Sequence, residues 1–172
     1  MTIPDDILLF SGFALAHAAY SISDVPEGEL LIPLFIAEHL GKRQVLRFEA
    51  ATQEEAISAA KRHVDSVDVT LDLWTLSREG SMPVEDGSRL DVISVEASAA
   101  VFRHRVIVVQ PFRAAYLPGG FGLLGQPVVA LDGEEVSADT RTRCCQIIEE
   151  GFAEHPAAKA LARDLSSSPL WQ

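Results

Sequence analysis

Residues 7–22, ILLFSGFALAHAAYSI, form an uncharged run of apolar and small side chains, with Asp5 and Asp6 directly before it. Such a run predicts a buried helix, because carboxylates at a helix N-terminus interact favourably with the positive end of its dipole. A secretory signal would need a basic segment ahead of the apolar stretch, whereas the first cation of this chain is Lys42. The run is also short for a bilayer span. SDVPEGE (23–29) reads as a loop, and LLIPLFIAEHL (30–40) and VLRFEA (45–50) as the arms of a β-hairpin around GKRQ. Pro33 donates no backbone hydrogen bond, which assigns its strand to an edge or a bulge. Thr52 followed by Glu55 is a capping box opening a second helix over QEEAISAAKRHVDS, whose Ala56, Ala59, Ala60, His63 and Val64 share one face.

From Val67 the period changes to two. Val67, Val69, Leu71 and Leu73 alternate with Asp68, Thr70 and Asp72, a strand with one buried and one wet face, and Trp74 falls on the wet side. REGSMPVEDGS (78–88) is turn-rich, RLDVISVEAS (89–98) is a second strand, and VFRHRVIVVQPFR (101–113) is a longer third. Its Val106–Val109 stretch lacks polar alternation and is expected centrally in the sheet with both faces covered. PVVALDGEEV (127–136) supplies a last strand or hairpin. Ser137 or Asp139 then caps a helix with an apolar stripe of Cys144, Cys145, Ile148 and Phe152. Pro156 suits the first turn of a further helix over PAAKALARDL.

The order is α-ββ-α-βββ-αα. Helices interrupt runs of strands, so the expected fold is α+β, a mainly antiparallel sheet of about five strands with helices packed on it. The length of 172 residues and 48% hydrophobic content suit one globular domain, residues 1–165, followed by a tail, 166–172. Twenty-five acidic against fourteen basic residues give a formal charge of −11, which opposes nonspecific binding to nucleic acid or anionic membranes and favours a basic protein partner. The two cysteines are adjacent, a poor geometry for a disulfide, which points to a reducing, cytoplasmic compartment.

GFGLLG (120–125) has the Gly-x-Gly-x-x-Gly spacing of a dinucleotide loop. That loop works only when a helix starts directly after it and its amides and dipole meet the pyrophosphate. Here Gln126-Pro127 and an extended VVA follow, so no cofactor is expected. The P-loop pattern is missing, and the histidines at 17, 39, 63, 104 and 155 lack the spacing of a metal-binding helix. His63 and His17 read as packed within their helices. In the long strand, Arg103, Arg105 and Arg113 share one parity and form a basic stripe able to grip a carboxylate or phosphate. His104 lies opposite with Phe102, Val106 and Val108, the histidine most worth testing as a base.

Two functions follow. In the first, the chain is a noncatalytic interaction or regulatory protein that binds a protein partner or itself, of the kind that neutralises a basic protein as an immunity or antitoxin factor does. Its contact anchors would be Trp74, Trp171 and the loop residues Phe121 and Leu123. In the second, an anionic small molecule binds between Arg103, His104, Arg105, Arg113 and the loop 117–126.

Overall fold

The computed structural model describes residues 1–67 and 70–164. The fold is α+β. In chain order the elements are α1 (Asp5–Ile22), β1 (Leu34–His39), β2 (Lys42–Arg47), α2 (Gln53–Val67), β3 (Leu73–Pro83), β4 (Arg89–Ala99), β5 (Val106–Arg113), β6 (Gly122–Leu124), β7 (Val128–Leu131), β8 (Glu134–Glu135), α3 (Ala138–Ala153) and β9 (Arg163–Asp164). The sheet therefore has nine strands among the described residues, not about five. Its continuous part runs β2-β1-β3-β4-β5, all antiparallel. The far edge of β5 is shared: Val106–Val109 pair with β7, Phe112 and Arg113 pair with β6, and β6 pairs parallel with β9. At that division Gln110 is buried, and its amide donates to the carbonyls of Pro111, Leu124 and Gly125.

Local chemistry explains most boundaries. The Glu55 amide donates to Thr52 Oγ1 at 3.2 Å and starts α2. The Thr140 amide donates to Ser137 Oγ at 3.3 Å and starts α3, a cap of the type that contributes about 1 kcal/mol. Leu40 and Gly41, with φ of 50° and 73°, close the β1–β2 hairpin in the left-handed conformation that two-residue hairpin turns require. Lys42–Gln44 thus belong to a strand rather than to the turn. Pro33 stands just before β1, so β1 gains partners on both sides and is internal, not an edge.

Both faces of the sheet are used. One packs Leu34, Ile36, Ile93, Val95, Ala97, Val106 and Val108 beneath α1 and α3, in a core continuous with Ile7, Leu8, Leu15, Cys144, Ile148 and Phe152. On the other, α2 sets Ala60 and Val64 on Phe35, Ala37, Trp74 and Leu76. Trp74 is consequently fully buried, which corrects its assignment to a wet face. The alternation failed because α2 folds back over the side expected to face water. The strand itself begins at Leu73 and extends through most of the turn-rich 78–88 segment, while the residues 68 and 69 of the expected strand lie outside the described residues. Residues 101–105 form a turn before β5, and Pro156 is followed by a single 3₁₀ turn (Ala158–Ala160) and then β9 instead of a helix. The 166–172 tail lies outside the described residues.

The helices α1 and α3 meet at two glycines. A Cβ on Gly12 would sit 2.0 Å from the Ile148 carbonyl oxygen, and one on Gly151 would sit 1.9 Å from that of Leu9. Backbone occupies the space of both side chains, and backbone yields little. Gly12→Ala or Gly151→Ala should each destabilise the fold by about 3 kcal/mol, the upper part of the usual overpacking range. Gly80→Ala, whose Cβ would meet Val92 Cγ2 at an ordinary 3.7 Å, serves as control. Urea unfolding of the three variants checks this, and equal midpoints would show that the helices separate at little cost.

Candidate functional site

The four basic residues expected to form one site are dispersed. Strand β5 rises about 3.3 Å per residue, so Arg105 and Arg113, eight residues apart, stand about 26 Å from one another. Arg103 is an exposed turn residue with φ of 57°. The Arg105 guanidinium lies 4.6 Å from the centre of the Trp74 ring and 3.5 Å from the Glu96 carboxylate, which makes it the lid of the smaller core. His104 is not on the core face. Its Nδ1 is 2.7 Å from Asp132 Oδ2, and Asp132 Oδ1 accepts the Arg105 amide at 2.8 Å. The Arg105 amide, and after it His104, holds the Asp132 carboxyl below the usual carboxylate range. The group thereby ties the β4–β5 turn to the β7–β8 hairpin.

Arg113 explains two of the three glycines of GFGLLG, Gly120 and Gly122. Its Nε donates to the Gly120 carbonyl at 2.7 Å and its Nη2 to that of Gly119 at 3.3 Å. Gly119 and Gly120 take φ of 93° and 71°, which turn those carbonyls onto the guanidinium. A Cβ on Gly122 would press on Arg113 Nη2 at 3.1 Å. The loop wraps a side chain of its own chain. Within it Leu123 is fully buried, and Phe121 packs on Phe112 with ring centres 5.9 Å apart, so these residues belong to the core more than to a displayed contact surface. Trp171 lies outside the described residues.

One constellation carries no signature in the sequence. His17 on α1 and His155 just after α3 approach to 3.1 Å between Nδ1 and Nε2, and Arg47 Nη2 at the end of β2 lies 3.4 Å from His17 Nε2. Burial, then His155 and Arg47, push the His17 pKa below its ordinary value, and burial lowers that of His155. Elsewhere, Glu79 accepts the Leu31 amide at 2.8 Å and pins the loop after α1 to β3. Burial raises its pKa, and Asp91 adds to the rise. Among the described residues no cluster of three or more His, Cys, Asp or Glu could hold a metal ion, and no helix is long and apolar enough to cross a membrane. Comparison with protein-family models, with curated proteins and with solved structures returned no match.

Cys144 and Cys145 are buried, and Cys145 Sγ lies 3.6 Å from the Pro127 carbonyl oxygen. Burial pushes both thiols up, Cys145 to about 11, despite Arg143 and Arg141 nearby. A thiol held protonated is a poor nucleophile. Ellman's reagent at pH 8 should therefore react slowly with the folded chain and rapidly with two thiols once it is unfolded in urea; fast reaction of the native protein would contradict the burial.

Glu79 yields a pH-dependent prediction. A carboxyl whose pKa is higher folded than unfolded favours the fold at low pH, and that advantage is lost as pH rises through the folded value. Glu79→Gln keeps an oxygen for the Leu31 amide without the charge. It should raise the thermal midpoint at pH 7 and leave it unchanged well below the ordinary glutamate value of 4.5, as calorimetry at the two pH values would show.

Proposed function

We propose that this chain is a noncatalytic interaction protein of a reducing, cytoplasmic compartment, whose partner is a basic protein that docks on the part of the sheet α2 leaves uncovered. The observation that carries this reading is the unequal cover of one sheet face. On it, α2 buries Phe35, Ala37, Trp74 and Leu76. The same face continues through Met82 on β3, Leu90 on β4, Ile107 and Val109 on β5, and Val128 and Ala130 on β7, all half-buried. A half-exposed apolar strip several strands wide is a common form of protein contact surface.

Charge supports the choice of partner. The chain carries −11 as a whole; on this face Glu96 and Glu135 are each paired with an arginine, Arg105 and Arg141, and Arg78 adds a further cation, so the support comes from the net charge. Such a field accelerates encounter with a basic protein and opposes association of two copies. The noncatalytic reading is supported by how the reactive groups are used: His104 and Arg113 hold turns together, and the thiols stay protonated.

Capture from source cells with the wild-type chain and with Ile107→Glu tests the proposal. The expected result is a basic partner whose affinity falls at least tenfold in the variant and weakens as salt rises, with circular dichroism unchanged. Equal binding by the variant would refute the strip. A dimer of the chain itself that the variant abolishes would replace the basic partner with a second copy.

A further inference from the structure

We propose that the cleft between the C-terminal half of α1 and the end of β2 binds the carboxylate or phosphate group of a small organic anion through Arg47 and His17. This goes beyond the interaction reading and uses the opposite face of the sheet. Arg47 pairs in register with Leu34, whose side chain packs under α1.

The backbone amide of Ala157 donates to His155 Nδ1 at 3.1 Å, so that nitrogen carries no hydrogen. A neutral imidazole has one N–H, and that of His155 is therefore on Nε2. Only 3.1 Å away is His17 Nδ1, which must then be the acceptor. The one N–H of neutral His17 is in turn left on Nε2. That atom faces Arg47 Nη2 at 3.4 Å, and a guanidinium is only a donor. Two donors thus converge at a distance too short to be indifferent and with nothing to exchange between them. An oxyanion accepting from both is the group that reconciles them, as forked guanidinium and imidazole donors match carboxylate and phosphate oxygens.

The surroundings fit such a ligand. The cleft, about 460 Å³, is lined by His17, Arg47, Tyr20, Ser21, Ser23, Asp24 and Ile32. That volume lies within the range of small-molecule sites. Tyr20 and Ile32 are exposed, 56% and 37%, and offer apolar surface beside the donors. The hydroxyls of Ser21 and Ser23 donate to the carbonyls of His17 and Tyr20 and keep their lone pairs for a donor on the ligand. Among the described residues no ion pair engages Arg47, in contrast to Arg43 on the same strand, which pairs with Glu38. Asp24 in the wall limits the negative charge the cleft tolerates beside its two donors, and the exposed Tyr20 and Ile32 suit an anion with an apolar body. The groups facing His17 are Arg47 from β2, His155 from the segment after α3, and Tyr20 and Asp24 from α1 and the loop after it.

Nitrogen-15 NMR of the histidine side chains tests the proposal on the full chain. Without added anion, His17 and His155 should both show the Nε2–H tautomer; a His17 with its proton on Nδ1 would overturn the proton count. Titration with benzoate and with phenyl phosphate should shift His17 Nε2 saturably and raise its titration midpoint. Saturation by benzoate alone assigns the site to carboxylates, and by phenyl phosphate alone to phosphate esters. Inorganic phosphate binding as tightly as phenyl phosphate would overturn the role of Tyr20 and Ile32. Arg47→Gln should weaken binding at least tenfold, whereas Lys42→Gln, which removes the same charge from the same strand, should not. No saturation by either aromatic anion, or equal loss in both variants, would refute the site. Because Arg47 is far from the uncovered strip, partner capture by the Arg47→Gln chain should be unaffected, which keeps the two proposals separable.

Discussion

The contact of α1 with α3 through Gly12 and Gly151 is the constraint on which the rest of the structure depends. Neither glycine turns the chain; each removes a side chain so that one helix backbone can rest on the other. Glycine within a helix costs up to about 1 kcal/mol relative to alanine, and the close approach it permits has to offset that cost twice. The return is burial of α1 on nearly all sides, between the sheet and α3, with eleven of its residues inside. The contacts advance in step, from Asp5 with Arg143, through Leu9 with Gly151, to His17 with His155, so the two helices run in the same direction. The histidine pair is the last consequence of that packing.

The sheet divides its two faces unequally. Under α1 and α3 it is covered from β1 across to β7, whereas α2 spans only the β1–β3 side of the other face. Arg105 marks the border, since its guanidinium covers Trp74 on one side and meets Glu96 on the other. An arginine stem over an indole shields apolar surface while its charge remains near water. Past that border the side chains are half-exposed, and the face changes from core to surface without a break in the hydrogen-bonded ladder.

The sequence made these features legible to different degrees. Thr52, Ser137, and the run after Asp5 and Asp6 located all three helices, because a cap and a period are local properties. The segment 127–136, legible as a last strand or hairpin, is a hairpin of β7 and β8 that turns at Asp132 and Gly133. Trp74 was misplaced because alternation reports that a strand has two faces without reporting what lands on the polar one. Thr75 and Ser77 show the converse: polar, yet fully buried beneath α1, with the Thr75 hydroxyl directed at the Ile36 carbonyl at 3.4 Å. Pro156 suggested a helix start, but pairing of Arg163 and Asp164 with β6 competes for the chain seven residues later. The arginine stripe assumed a strand over 101–113, and the turn at 101–105 removes Arg103 from it. His17, Arg47 and His155 stand 30 and 138 residues from one another in their two contacts, and no spacing rule reaches across such distances.

Geometry also separates the two surfaces argued for this chain. Strand β2, which carries Arg47, is four ladder steps from β5, so at about 4.8 Å per step the cleft and the strip lie some 19 Å apart along the sheet, and on opposite faces. Electrostatic influence across that distance is largely screened at physiological ionic strength, where the Debye length is about 8 Å. Any coupling would have to travel mechanically. The available route is α1: it bears His17 at one end, is locked to α3 by the glycines, and rests on β3 and β4, the strands next to the β5–β7 part of the strip. A helix seated backbone to backbone has little freedom to shift in small increments, since packed interfaces tend to be bistable. An anion at His17 is therefore expected to change the local protonation of the histidine pair and leave the distant strip in place.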